Sequence, residues 1–181
     1  MNLDDNGVNI NLELYKETDR AKDYVLFLHG FTGCAEDWFP IFEQLPNKYN
    51  YIAMDIVGHG KSDVPGNVNS YIIESIVNQI KFVKDHLTPN KIFLLGYSMG
   101  GRIALSYASI YPDDLKGLIL ESASAGIKND EERQKRYEED LKLAEFIETH
   151  TLEEFIEMWH DQELFNTQRR FSNDKLKKMK K

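Results

Sequence analysis

A single cysteine, Cys34, occurs among 181 residues, so no disulfide can form within the chain and a reducing compartment fits. Long hydrophobic runs are missing too: no stretch approaches the roughly 20 apolar residues that span a bilayer. The opening residues Met1-Asn2-Leu3-Asp4-Asp5-Asn6 lack the positive segment and apolar run of a signal peptide. The expectation is a soluble, cytoplasmic protein. Positive charge is in deficit, with 22 Lys and Arg against 30 Asp and Glu and a net charge of −8. A phosphate-binding surface needs the reverse balance, so neither nucleic acid nor membrane is an expected partner. There is no internal repeat and no Pro/Gly/Ser linker.

What is present is ordinary for a folded protein: 41% hydrophobic and 29% charged residues. The length suits one domain with a sizeable core, or one domain with a small insertion. Val8 to Leu14 alternates apolar and polar residues, as a half-buried strand does. Tyr24-Val25-Leu26-Phe27-Leu28 is continuously apolar, which suits a strand covered on both faces. Tyr51 to Met54, Ile92 to Leu95 and Leu118 to Leu120 read the same way. Between them lie helical stripes, one of Ile72, Ile73, Ile76, Ile80 and Val83, another of Ile103, Ala104, Tyr107 and Ala108. Strands alternating with helices predict an α/β fold, a mostly parallel sheet with helices on both faces.

Beyond Glu121 the character changes. Asp130 to His150 is densely charged, with helical stripes through Leu141, Ala144 and Ile147 or Leu143 and Phe146. Thr151-Leu152-Glu153-Glu154 is a capping box opening a second helix whose apolar face is Leu152, Phe155, Ile156 and Trp159. A third helix is expected from about Ser172, with Leu176 and Met179 inward and no stop signal before Lys181. The expected division is a core over 1–127 and an incomplete helical cap over 128–181.

The strongest chemical signal is Gly96-Tyr97-Ser98-Met99-Gly100, between a predicted strand and a predicted helix. That is the setting of the G-x-S-x-G nucleophile elbow. The turn is so tight that the serine backbone is strained and its neighbours must be small. Ser98 Oγ should then stand beside a helix N-terminus able to hold negative charge. His29-Gly30-Phe31-Thr32-Gly33 follows an earlier strand, and the backbone N–H groups of Phe31 and Met99 are the expected oxyanion hole. Asp55 to Asp63 forms a third loop at the same sheet edge, where His59 reads as a bracing residue rather than a base.

From about Val8 to Glu121 these segments resemble the α/β hydrolases. Gly96 to Arg102, His29 to Gly33, Glu121 to Ile127 and Glu132 to Arg136 resemble, more narrowly, the 2-succinyl-6-hydroxy-2,4-cyclohexadiene-1-carboxylate synthase family of menaquinone biosynthesis. Trp159 and the segment Glu163 to Gln168 match that family's cap. The resemblance implies a carbon–oxygen lyase that eliminates pyruvate from 2-succinyl-5-enolpyruvyl-6-hydroxy-3-cyclohexene-1-carboxylate. Ser98 would act as a base on a ring proton, served by an Asp and a His, and no cofactor or metal is implied. Tyr97, Arg102, Arg133, Arg136 and Trp159 would contact a small polycarboxylate. Arg102 lies one helical turn past Ser98 and offers bidentate hydrogen bonds to a carboxylate. A solvated helix arginine is its rival reading, as solvent exposure is for Arg133 and Arg136 and core packing for Trp159.

The triad order Ser, Asp or Glu, His requires later strands, and none is evident after Leu120. Asp140 with His160, or Asp114 with His150, fits the order but not the setting, so neither triad partner is expected within the chain. The chain therefore reads as a fragment lacking the last strands, with a complementary C-terminal segment as a candidate partner and the Leu118–Leu120 strand left as a sheet edge. Other readings are a different serine hydrolase, either a carboxylesterase or a C–C hydrolase, and a catalytically dead binding module.

Overall fold

The structure, a computed structural model, describes residues 1–163, 165 and 166. The helix expected from Ser172 lies outside these residues. Two compact units divide the chain, Met1–Gly126 and Ile127–Lys181.

The first unit is built on six strands: β1 (Asn2–Asp5), β2 (Val8–Leu14), β3 (Tyr24–Leu28), β4 (Asn50–Met54), β5 (Ile92–Tyr97) and β6 (Leu115–Glu121). Their order is β1-β2-β4-β3-β5-β6. β1 and β2 form an antiparallel hairpin, and β2 pairs antiparallel with β4. From β4 through β3 and β5 to β6 every pairing is parallel. Alternation along the buried strands sorts their side chains between two cores. Leu26, Leu28, Ile52 and Met54 face a cluster with Ile76, Val77, Ile80 and Val83 of α2 (Ile73–Leu87) and Ile103, Ala104 and Tyr107 of α3 (Met99–Ile110). Val25, Phe27, Tyr51 and Ala53 face the other way, onto Ala35 and Phe42. Ala35 belongs to a 3-10 turn (Ala35–Trp38), and Phe42 ends the short α1 (Phe39–Phe42). Both faces are thus covered, which is why these strands could be apolar throughout.

Three features depart from the sequence reading. The polar strand Asn2–Asp5 was not expected; it is held in register by a turn in which Asn6 and Gly7 adopt φ of 54° and 88°, the left-handed pair a two-residue hairpin needs. The 3-10 turn and α1 were likewise not foreseen, being too short to show a helical period. Ile72 and Ile73, assigned to a buried stripe, are exposed, because α2 starts only at Ile73 and its inward face begins at Ile76.

Polar bonds fasten α2 and α3 to the start of β6. Tyr107 Oη donates to Asp114 Oδ2 at 2.7 Å, and Lys81 and Lys84 reach the same carboxylate at 3.1 and 3.4 Å. Burial alone would raise the Asp114 pKa, but these donors outweigh it and hold it below its ordinary value. Among the described residues β6 has one neighbour, β5, and Ile119 and Leu120 remain exposed.

The second unit contains α4 (Asp130–Thr149) and α5 (Leu152–His160). Asn129 accepts the amides of Glu131 and Glu132, and acidic residues fill the first turn of α4, both suited to a helix N-terminus. Thr151 and Glu154 form the expected reciprocal cap on α5. Among the described residues no helix is long and apolar enough to cross a membrane.

Candidate active site

Three strands, β3, β4 and β5, run parallel and end at one edge of the sheet, so the loops after them converge there. Ser98 follows β5 directly and caps α3 with φ 51° and ψ −110°. An L-residue in that region costs about 1–3 kcal/mol. The surroundings enforce it. Ser98 N–H donates to the carbonyl of Glu121 at the end of β6 (2.9 Å), and the Ser98 carbonyl accepts the Arg102 amide (3.1 Å). A methyl group on Gly96 would lie 2.3 Å from the Gly100 carbonyl oxygen, and one on Gly100 would lie 2.5 Å from that of His29. Strand and helix approach so closely that only glycine fits at either flank.

The 12-residue α3 begins at Met99, so its unpaired first-turn amides and positive dipole end surround the serine. The Gly100 amide is taken by the His29 carbonyl at 3.1 Å; no acceptor among the described residues takes that of Met99. Against the elbow lies the loop after β3. The missing side chain of Gly30 lets the Tyr97 ring settle on its Cα, where a methyl group would stand 2.9 Å from Tyr97 Cδ1. Phe31 is exposed and packs edge-on to His59. Thr32, like Ser98 and Ser122, has a positive φ; all three sit just past the carboxyl ends of strands, where strain and function tend to coincide.

Two buried groups that the sequence reading did not single out hold this edge. His29 Nδ1 is 2.8 Å from the Gly30 carbonyl, and its Nε2 accepts the Ile56 N–H at 3.0 Å. Burial pushes its pKa below the ordinary 6.5, helped by nearby His59 and opposed by the Gly30 bond. Asp55, at the end of β4, accepts the amides of Ala35 (2.6 Å) and Lys61 (2.9 Å) and the Asn11 side chain (2.8 Å). A carboxylate directly after an apolar run must be bonded if buried, and that was the signal available for Asp55. His59 is half-buried with Nδ1 3.3 Å from the Val57 carbonyl, its ring beside that of His29.

Of the expected site residues, the first unit brings together Ser98, Met99, Tyr97, Arg102 and the Phe31 loop. Arg102 is exposed on α3, and its guanidinium has no anionic partner among the described residues. Arg133, Arg136 and Trp159 belong to the second unit. Arg133 donates to the Ile127 and Lys128 carbonyls and pairs with Asp130. Arg136 pairs with Asp140 at 2.9 Å, which raises its pKa. Trp159 packs between the rings of Phe155 and Phe165. Asp114 sits before β6, at the sheet edge opposite Ser98, and Asp140 is engaged by Arg136. Among the described residues no strand follows β6, and no group of three His, Cys, Asp or Glu could hold a metal.

A strained serine at a strand–helix turn, on a sheet of this order, defines a class. The α/β-hydrolase-fold family model matches residues 23–169, and the chain belongs to that family. Its relatives narrow the likeness. A Bacillus subtilis (strain 168) protein provisionally named 2-succinyl-6-hydroxy-2,4-cyclohexadiene-1-carboxylate synthase is 40% identical over 158 residues, which are 87% of this chain and 57% of that protein. The Enterobacter sp. (strain 638) synthase of that name is 34% identical over 149 residues, 78% of this chain and 54% of its own. The solved structure of MenH from S. aureus superposes with a TM-score of 0.85 at 28% identity, covering 93% of this chain and 63% of that one. The chain thus spans little more than half the length of these curated relatives.

Proposed function

We propose that this chain supplies the serine and substrate-binding arginines of a lyase that eliminates pyruvate from 2-succinyl-5-enolpyruvyl-6-hydroxy-3-cyclohexene-1-carboxylate. The observation that carries the reading is the pairing of a strained, helix-capping Ser98 with an Arg102, one turn further on, that has no anionic partner among the described residues. The names of the relatives support it. In this reading Arg102 binds a substrate carboxylate, and Ser98 Oγ removes a ring proton while the enolpyruvyl C–O bond breaks. Negative charge developing on the substrate is held by the amides of Phe31 and Met99. Tyr97, pinned on Gly30, borders the same edge. Arg133, Arg136 and Trp159 are proposed as further substrate contacts.

Serine alone is a weak base near neutrality, so the reading also requires an Asp and a His from a complementary segment pairing with the open edge of β6. The test adds in trans the part of the Bacillus subtilis relative that this chain does not span, and follows pyruvate release from the substrate. Release is expected with the wild-type chain, and a loss of at least ~10²-fold with Ser98→Ala, the low end for a missing general base. Hydrolysis of simple esters by the complemented pair, without pyruvate release, would replace the lyase reading with an esterase one.

A further inference from the structure

We infer that His29 is a positioning residue that aims the Phe31 amide at the serine, by gripping the peptide group to which that amide belongs. The inference deepens the oxyanion-hole reading and rests on it only for the use made of Phe31, not for the geometry.

A trans peptide group carries its C=O and the following N–H on opposite sides, and the Gly30–Phe31 bond is trans, as are all bonds among the described residues. The Gly30–Phe31 peptide therefore presents the Phe31 N–H away from whatever holds the Gly30 oxygen. Two donors hold it: the His29 ring at 2.8 Å and the Gly33 amide at 3.1 Å. The other ring nitrogen of His29 accepts from Ile56 N–H at 3.0 Å. An acceptor at Nε2 requires the hydrogen to sit on Nδ1, so the two bonds select one neutral tautomer. The backbone of His29 adds a third tie, since its carbonyl receives the Gly100 amide of α3 at 3.1 Å. One buried residue, 2% exposed, thus connects the end of β4, the loop after β3 and the first turn of the nucleophile helix.

Protonation would undo the arrangement. An imidazolium presents an N–H at both nitrogens, and Nε2–H would then oppose the Ile56 N–H, donor against donor. Burial resists that protonation, as does His59 from the loop after β4, while the bond to the Gly30 carbonyl, Asp55 at the end of β4 and Asp37 of the 3-10 turn favour it. In its neutral form the ring ties Ile56 to the Gly30 carbonyl; once charged, it keeps its Nδ1–H on the Gly30 carbonyl but its Nε2–H repels the Ile56 amide, so the grip on the loop loses its anchor at the end of β4.

Nitrogen-15 NMR of the intact chain tests this. The expected result near neutral pH is a His29 ring protonated on Nδ1, with a scalar coupling across the hydrogen bond between His29 Nε2 and the Ile56 amide nitrogen. On acidification the Phe31, Gly33 and Ile56 amides should shift together at the midpoint of His29, and continue to do so in His59→Gln. A ring protonated on Nε2, an absent coupling, or a Phe31 amide that follows His59 instead would overturn the inference. If acid unfolds the chain before His29 gains a proton, tautomer and coupling decide alone. An intact His29 signature combined with a complemented enzyme indifferent to Phe31 geometry would leave the positioning in place and remove the oxyanion assignment.

Discussion

Ser98 is locally the least comfortable residue of the site, and that discomfort is measurable. Glycine at position 98 would remove the penalty of φ 51°, while losing more chain entropy on folding. The balance predicts that Ser98→Gly raises stability by about 0.5–2 kcal/mol, seen as a higher urea midpoint. A lower midpoint would mean that the strain is absent. Arg102 makes a different prediction because its head group has no anionic partner among the described residues. In the complemented enzyme of the proposed lyase reading, Arg102→Ala should reduce kcat/KM for pyruvate release by about 10–100-fold, the worth of a charge-assisted hydrogen bond, and leave any neutral-ester hydrolysis unchanged. His29 links stability to pH. Its native pKa lies below the ordinary 6.5, so below that value the unfolded chain takes up a proton that the native chain refuses. Its contribution is complete above pH 6.5 and is lost as pH falls through the native pKa; a stability–pH profile in His29→Phe should lack that component.

Elements carry the next set of consequences. α2, α3 and β6 meet at the Asp114 carboxylate, and Lys84 Nζ contributes from a side chain only 5% exposed. Asp114→Asn keeps a polar group for Tyr107 but leaves the buried Lys84 ammonium with Asp85 as its remaining carboxylate among the described residues. A loss of about 1.5–3 kcal/mol in chemical denaturation is expected, with the Ser98 edge unaffected because Asp114 lies at the other end of the sheet. The apolar strands were legible in sequence because a strand covered on both faces has no polar position to blur its pattern. β1 was not legible, since Asn2–Asp5 is polar and owes its place to the Asn6-Gly7 turn. Ile72 and Ile73 misled because hydrophobicity suggested a face before the helix had begun.

At the scale of the molecule, β6 is one of the two margins of the sheet among the described residues, and its Ile119 and Leu120 are exposed. Its strand carries no proline and only one lysine, Lys116, so little discourages another strand from adding there. Concentration-dependent self-association is expected in sedimentation, and Ile119→Lys, which puts a charge on an exposed position of that strand, should suppress it. A wild-type chain that stays monomeric at high concentration would argue that the edge is protected. Pairing of a further strand with β6 would also reach the serine, because the carbonyl of Glu121 holds the Ser98 amide.

Local order alone decided where the core strands run and which serine is strained. Side-chain period and the steric demands of a glycine-flanked turn involve neighbours only a few residues apart. It could not reveal the tautomer of His29 or the duty of Asp55. Those depend on an amide 27 residues further on in one case, and on donors from Asn11, Ala35 and Lys61 in the other. Such partners meet only when parallel strands end at a common edge, and desolvation there obliges every buried polar atom to find one.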